Sequence, residues 1–389
     1  MSSTTRAGSY RAVLLLPSAL RTFVPALAGR LAYGLLSLST LFTVHDATGS
    51  FAVAGAAGAG FGLASLSMPY KARLVDRYSQ RRVLPPLALT CALGLVVTTF
   101  LSTPAVLIAL VTVTGLFAPP LGPSMRSNWR LITEETSLKE RAYALDAICE
   151  ESLYLAGPLL AGLLISLWSA PAALLCTAVL LAVGTCLMVT SPLARRTTPP
   201  SPARHPLGPL TNAGLRRILI VILVTAAGVS TAYLCVAGVA QAQGRPGTAG
   251  FVEAGIGLGS VVGGLAWGRR QHTRSHETHL AGLIGVLAAG LLAASLVSHL
   301  LVLGLVMCVF GVAVAPLFVS SYLAADDLTP PDQRTEASTW INTANNLGSA
   351  AGASLTGLLI DRAGPSYGFL AGGVLLVLVS AVVLLRRTK

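Results

Sequence analysis

The sequence predicts an all-α membrane protein of about 12 transmembrane helices, arranged as two pseudo-symmetric six-helix bundles with both termini in the cytoplasm. Three observations predict it. Of the 389 residues, 53% are hydrophobic and only 11% charged, with a mean hydropathy of +0.72, whereas a soluble domain carries about 25% charged residues. Apolar runs long enough to cross a bilayer, roughly 20 residues each, recur along the chain. Glycine and proline clusters of the first half return in the second at a nearly constant offset.

Taken in order, Arg6 and Arg11 precede Leu14-Leu15-Leu16 as in a secretory signal, but Pro17 and Arg21 end that run and a longer one follows at once. A short amphipathic lead-in on the cytoplasmic surface is expected instead. Spanning helices are expected over 23–44, 51–70, 83–102, 104–124, 142–168 and 172–191. Residues 192–217 are rich in Pro, Thr and Arg without spanning hydrophobicity, which marks a linker. Further spans are expected over 218–240, 249–268, 280–298, 300–323, 336–360 and 367–385. The domains are thus a first bundle over 1–191, a cytoplasmic linker over 192–217 and a second bundle over 218–389.

The cations give the orientation. Lys71, Arg73, Arg77, Arg81 and Arg82 fall between the second and third spans, and Arg126, Arg130, Lys139 and Arg141 between the fourth and fifth. Arg195, Arg196, Arg204, Arg216 and Arg217 fall in the linker, while only Arg245 and Arg362 lie on the other side. The positive-inside rule then puts both termini in the cytoplasm. The net charge of +12 meets anionic lipid rather than nucleic acid. The cysteines sit in apolar runs without CxxC spacing, so neither a disulfide framework nor a zinc site is implied. His272, His276 and His279 with Glu277 would line one face if that loop were helical, but no apolar shell surrounds them and no metal is expected. No P-loop, nucleophile elbow or paired-carboxylate pattern occurs, so neither an enzyme nor a cofactor is expected.

The internal repeat is specific. Gly58-Ala-Gly60-Phe-Gly62 matches Gly255-Ile-Gly257-Leu-Gly259, and Gly115 followed by Pro120-Leu121 matches Gly311 followed by Pro316-Leu317. Gly157-Pro158-Leu-Leu-Ala161-Gly162-Leu-Leu-Ile matches Gly352-Ala-Ser-Leu-Thr-Gly357-Leu-Leu-Ile. Parallel repeats of this kind place a ligand site between the halves. The small residues concentrate in the second, fifth, eighth and eleventh spans, where they allow close approach between helices.

Two stretches resemble a known family. Ala72-Arg-Leu74-Val-Asp76-Arg77-Tyr-Ser79-Gln-Arg81-Arg82 resembles the major facilitator superfamily's loop signature Gly-x-Leu-x-Asp-Arg-x-Gly-x-Arg-Arg, with Ala72 and Ser79 where glycine is usual. Gly268-Arg269-Arg270-Gln-His-Thr-Arg274 is a degenerate copy without the acid. Gly157-Pro158-Leu-Leu-Ala161-Gly162 resembles the Gly-Pro-x-x-Gly-Gly signature of the superfamily's drug:proton antiporter branch, with Ala161 at one glycine position. The layout resembles the superfamily over essentially the whole chain. The resemblance implies a multi-pass, monomeric secondary transporter of the plasma membrane, in a bacterium the inner membrane. It implies that Asp76, Arg77, Arg81 and Arg82 gate the cytoplasmic side and that Gly157, Pro158 and Gly162 help seal the halves. The branch points to efflux of a small organic molecule coupled to protons. Proton-driven uptake of a polar solute, or a receptor or scaffold that has kept the fold, are the alternatives. The branch's usual arginine in the fourth span is missing between Pro104 and Met125, which leaves Arg30 as its replacement.

The buried charges carry the chemistry. Arg30 lies about seven residues into the first span and Glu150 about eight into the fifth, so both sit roughly 10 to 12 Å below the cytoplasmic surface at 1.5 Å per residue. Pairing offsets part of the desolvation cost and favours the carboxylate, whereas separation favours proton uptake, which makes a proton switch. Asp146 and Glu150 share a face at i, i+4, while Glu151 points about 100° away. The residues alone do not choose which of Glu150 and Glu151 faces the cavity, and a static network with Arg30, Arg126 or Arg130 is the plainer alternative. In the second half Asn345 and Asn346 stand at the repeat positions of Glu150 and Glu151, with Asn342 and Trp340 nearby. Amides bind a ligand, or simply join helices, but carry no proton. Tyr33, Phe117, Tyr154, Tyr233, Phe318 and Tyr322 complete the cavity candidates. A small-molecule substrate, protons and lipid are therefore the expected partners.

Overall fold

The computed structural model describes residues 10–136, 138–195, 208–268, 275–329 and 334–385, without the side chains of Asp76, Glu151 and Tyr154 among others. The described chain is all-helical. After a short surface turn of helix, α1 (Tyr10–Leu14), α2 (Ala19–Thr48) runs for 30 residues, about 45 Å at 1.5 Å per residue and so longer than a hydrocarbon core. Gly49 stops it with φ at +68°, a value that costs glycine least, and returns its N–H to the His45 carbonyl at 2.7 Å. The second span is interrupted. It comprises α3 (Phe51–Ala64), a 3₁₀ turn over Ser65–Ser67 and α4 (Met68–Tyr78).

The turn into α5 (Gln80–Thr98) is made at Ser79, with φ 78° and ψ 153°, a region that only glycine enters without strain. The backbone therefore has a geometry that favours glycine although serine occupies the position. The expected span 104–124 is also broken, into α6 (Pro104–Leu116) and α7 (Leu121–Ile132). Pro119 and Pro120 lack the N–H groups a continuous ladder requires. By contrast α8 (Lys139–Leu167) continues through Pro158. The first half closes with α9 (Ala170–Met188).

In the second half α10 (Ala213–Ala242) opens under an Asn212 cap whose Oδ1 accepts from Gly214 and Leu215. Then follow α11 (Thr248–Gly268), α12 (His276–Ser295), α13 (Leu300–Gly311), α14 (Val314–Leu328), α15 (Arg334–Ala363) and α16 (Pro365–Leu385). The α13/α14 break lies at the repeat position of the α6/α7 break. Ten stretches of the described chain are helical, long and apolar enough to cross a membrane; Phe51–Ser67 is shorter, and α15 is not among them.

Within the first half α2 packs against α8 and α9, and α3 against α6; within the second, α10 packs against α15 and α16, α12 against α16, and α11 against α13. Two pairs make most of the contact between the halves, α3 with α15 and α8 with α11. These are the second, fifth, eighth and eleventh spans of the sequence, whose small side chains let backbones meet. A Cβ on Gly157 would come 2.5 Å from the Gly34 Cα of α2, and one on Gly162 would overlap the Gly247 carbonyl just before α11 and come 3.0 Å from the Gly250 Cα within it. The two glycines thus serve different partners, one within the half and one across it.

Candidate functional site

We call the face that carries the starts of α2, α8, α10 and α15 the basic face. About one-third of the way in from it, a cavity of about 400 Å³ opens between the halves. Its walls come from α2 (Arg30, Tyr33), the α3/α4 interruption (Phe61, Ser65), the α6/α7 break, α8 (Glu150, Leu153) and, from the other half, Asn346 of α15.

The break builds one wall because it frees carbonyls that a lipid-facing helix has to keep bonded. Tyr33 donates its hydroxyl to the Pro119 carbonyl at 2.7 Å, and Lys71 donates Nζ to the Gly115 carbonyl at 3.3 Å. Both partners come from helices beside the cavity. Below the break α7 is held by a buried reciprocal amide pair: Gln80 and Asn128 exchange bonds at 3.0 Å, and Gln80 also donates to the Ser124 carbonyl at 3.1 Å.

The charges form one cluster. Arg30 Nη1 donates to Asp146 Oδ1 at 2.7 Å, and Nη2 lies 2.8 Å from Glu150 Oε2 as an ion pair that is not aligned as a hydrogen bond. Arg126 Nη2 reaches the same Glu150 oxygen at 3.2 Å. Arg30 and Asp146 are almost fully buried, with side chains 5% and 3% exposed, whereas Glu150 is 24% exposed at the cavity edge and Arg126 55%. Two cations therefore face two carboxylates. The inner pair is fixed by burial, and the Glu150–Arg126 pair is wet enough to exchange partners.

The sequence placed Arg30 and Glu150 at one depth, and the structure joins them and adds Asp146 as the closest partner. Asn346 donates Nδ2 to Ser65 at 2.9 Å and so bridges the halves at the cavity floor; Tyr322 donates to the exposed Asn342 at 2.7 Å, and Asn345 is half-buried. The Glu151 and Tyr154 side chains lie outside the described residues. Arg77, Arg81 and Arg82 are exposed and form no ion pair among the described residues; Arg77 rests over the Tyr78 ring at 5.2 Å. The Asp76 side chain lies outside the described residues.

Among the described residues no group of three His, Cys, Asp or Glu could hold a metal. His272 and the His276 side chain lie outside them, and His279 meets Trp267 edge-on at 5.2 Å. One buried acid of the second half, Glu253 of α11, is 6% exposed and is not among the candidates the sequence suggests.

The two ends of the half-to-half contact differ. From Asn346–Ser65 outward, α3 and α15 stay together to the face opposite the basic one. There Asp361, at the end of α15, accepts from Ser50 Oγ at 2.5 Å and from the Phe51 and Ala52 amides at 2.8 and 2.9 Å. Ser50 Oγ accepts from Val53 N at 3.2 Å. All four free amides at the start of α3 thus have partners, the fourth being Ser50 N, which donates to Thr48 Oγ1 at 3.4 Å. Toward the basic face, Arg126 and Asn342 are exposed. Beyond the cavity, the halves are thus latched on the face opposite the basic one.

Compared with known proteins, the chain matches the family profile described as Major Facilitator Superfamily over residues 22–352 and again over 218–389. None of the curated proteins matches it in sequence. Among solved structures it is similar to the nucleoside transporter NupG at 15% identity and a TM-score of 0.80, over 95% of this chain and 99% of that one. It is similar to the POT family transporter PepTSo at 12% identity and a TM-score of 0.70, over 94% and 96%. It is also similar to the human organic anion transporter MFSD10 (TETRAN) at 20% identity and a TM-score of 0.60, over 96% and 99%. At these identities the likeness is one of fold.

Proposed function

The chain belongs to the Major Facilitator Superfamily, and from that premise we propose that this membrane transporter exports a small organic molecule across the plasma membrane in exchange for protons, by alternating access. The observation that carries the reading is the Arg30–Asp146–Glu150–Arg126 cluster on the wall of the cavity, with the halves latched on the face opposite the basic one. Glu150 is shared between a buried and an exposed arginine. A ligand or a movement that draws either cation away leaves a half-buried carboxylate that favours taking up a proton. Return of the cation expels it. The carboxylate thereby links substrate occupancy to proton binding.

The architecture that goes with this has 12 spanning helices, counting the interrupted α3/α4 segment and α15 with the ten apolar stretches. It divides at 192–217 into two bundles, with the basic face and both termini in the cytoplasm and the protein acting as a monomer. The positive-inside distribution supports that orientation. In it the cavity faces the cytoplasm, and Asp76, Arg77, Arg81 and Arg82 form a cytoplasmic gate that stands open. Gly162 lies in the outer seal.

The test uses sealed vesicles containing the purified protein, an interior pH indicator and a broad panel of lipophilic and polar organic compounds. Export by exchange predicts proton movement opposite to the compound. Movement in the same direction would turn the reading into symport, and no flux with any compound would favour a receptor or scaffold. Glu150→Gln is expected to abolish gradient-driven transport while leaving ligand binding within about threefold; an unchanged pH dependence would remove Glu150 from the coupling role.

A further inference from the structure

Glu253 takes no part in the cavity, and its surroundings are unusual for an acid. It sits in Gly250-Phe-Val-Glu253-Ala-Gly-Ile-Gly257 on α11 and is 6% exposed. A Cβ on Gly250 would overlap the Pro158 carbonyl of α8, and one on Gly257 would come 3.1 Å from Leu155 of the same helix. Glu253 is three residues after the first and four before the second, so it shares the face that α11 turns toward α8. That contact joins the halves, and it lies on the latched side.

No cation meets Glu253 there. The facing stretch of α8, 155–162, has no titratable residue; Tyr154 next to it has a side chain outside the described residues. On α10 the titratable group nearby is Tyr233, which is half-buried against the core. On α13 the nearest candidate, Cys308, lies against Gly259, nearly two turns further along α11. On α14, Tyr322 and Asp327 stand toward the basic end. Among the described residues Glu253 makes neither an ion pair nor a hydrogen bond. A carboxylate in this setting would have lost its water without gaining a counter-charge, so the closed contact accepts the neutral acid.

The geometry points to Glu253 as a proton-binding site whose occupancy is linked to closure of the opposite face. When α8 and α11 separate, water from that face reaches the carboxylate, which takes up one proton; the neutral acid can then be buried as the helices meet, and reopening returns the proton to water. Closure therefore binds a proton. Acid on that side favours the arrangement described here, by up to about tenfold in the closed-to-open ratio per pH unit while the group titrates. Asp361, which shares the latched face with Asp46, acts with the opposite sign, because protonation removes its bonds to the start of α3. The inference deepens the proton-exchange reading and rests on it for its purpose, though not for its measurement.

The experiment needs no substrate, since protons are the probe. Spectroscopic labels on unnatural amino acids at Phe100 and Leu296, exposed positions on that face in the two halves, would report its opening in nanodisc-embedded full-length protein from pH 5 to 9. An Asp361→Asn, His45→Gln background removes the other ionisable groups at the start of α3. We expect the open fraction to rise with pH, Glu253→Gln to stay closed throughout, and Glu253→Asp to restore a titration. The infrared band of a protonated carboxyl should be lost in Glu253→Gln at neutral pH. A pH response equal to the parent's in Glu253→Gln, or an unchanged carboxyl band, would overturn the inference. If vesicles show no proton-coupled flux, the export reading falls, while these spectra still decide whether Glu253 binds the proton.

Discussion

Arg30 shows how one side chain sets both stability and chemistry. It is buried against Asp146, itself 2% exposed, so removing the cation strands a carboxylate inside the protein. Arg30→Met is therefore expected to destabilise by about 3 to 5 kcal/mol, read as a lower thermal midpoint in detergent, and Asp146→Asn in the same chain should recover a large part. Failure of the second change to recover anything would mean that the pair is not the source of the loss. Ser79 makes the reverse case. Its backbone sits where a Cβ costs about 1 to 3 kcal/mol, so Ser79→Gly is expected to raise the midpoint; a lower midpoint would show that the buried hydroxyl matters more than the strain. The sequence made Arg30 and Glu150 legible because depth along a helix is simple arithmetic. It could not order Asp146 against Glu150, since both share one helix face and only the neighbouring helix chooses between them. Glu253 was hidden for a related reason: a lone acid near the end of an apolar run reads like the end of any span until the packing shows which helix covers it.

At the scale of helices, the start of α3 is capped from the other half. Three of its four free amides depend on Asp361 and Ser50, and a cap of this kind is worth about 0.5 to 2 kcal/mol. Because Asp361 is exposed, the low end applies. Asp361→Ala is expected to shift the balance toward opening of that face by about twofold, measurable as increased labelling of a nearby introduced cysteine by an impermeant reagent; unchanged labelling would make the contact incidental. Most helices were legible from apolar length alone: 142–168 became Lys139–Leu167, and 218–240 became Ala213–Ala242. The three interruptions were not. Hydropathy averages over Pro119-Pro120, over Ser65–Ser67 and over Val312-Ala313, since all lie inside runs that remain apolar, and a ladder break leaves no trace in such an average.

For the whole molecule, the distribution of cations and the order of packing give one consistent arrangement. Cysteines placed at Arg82 and Arg245 are expected to react with an impermeant reagent from opposite sides of the membrane, the first from the cytoplasm; reaction from the same side would overturn the orientation. The repeat was legible because glycine spacing survives where other residues drift. What the cavity admits was not, because it depends on how two half-helices are angled. That angle has a consequence of its own. The α6 segment follows α3, where a Cβ on Gly115 would come 3.0 Å from the Phe61 carbonyl, while α7 is tied to α5 through Gln80 and Asn128. The prolines between them act as a knuckle. Compounds of different girth would then be accommodated by swinging one short finger of the wall, so breadth of cargo would be governed at Pro119 and Pro120 and coupling at the charges, leaving each free to change without the other.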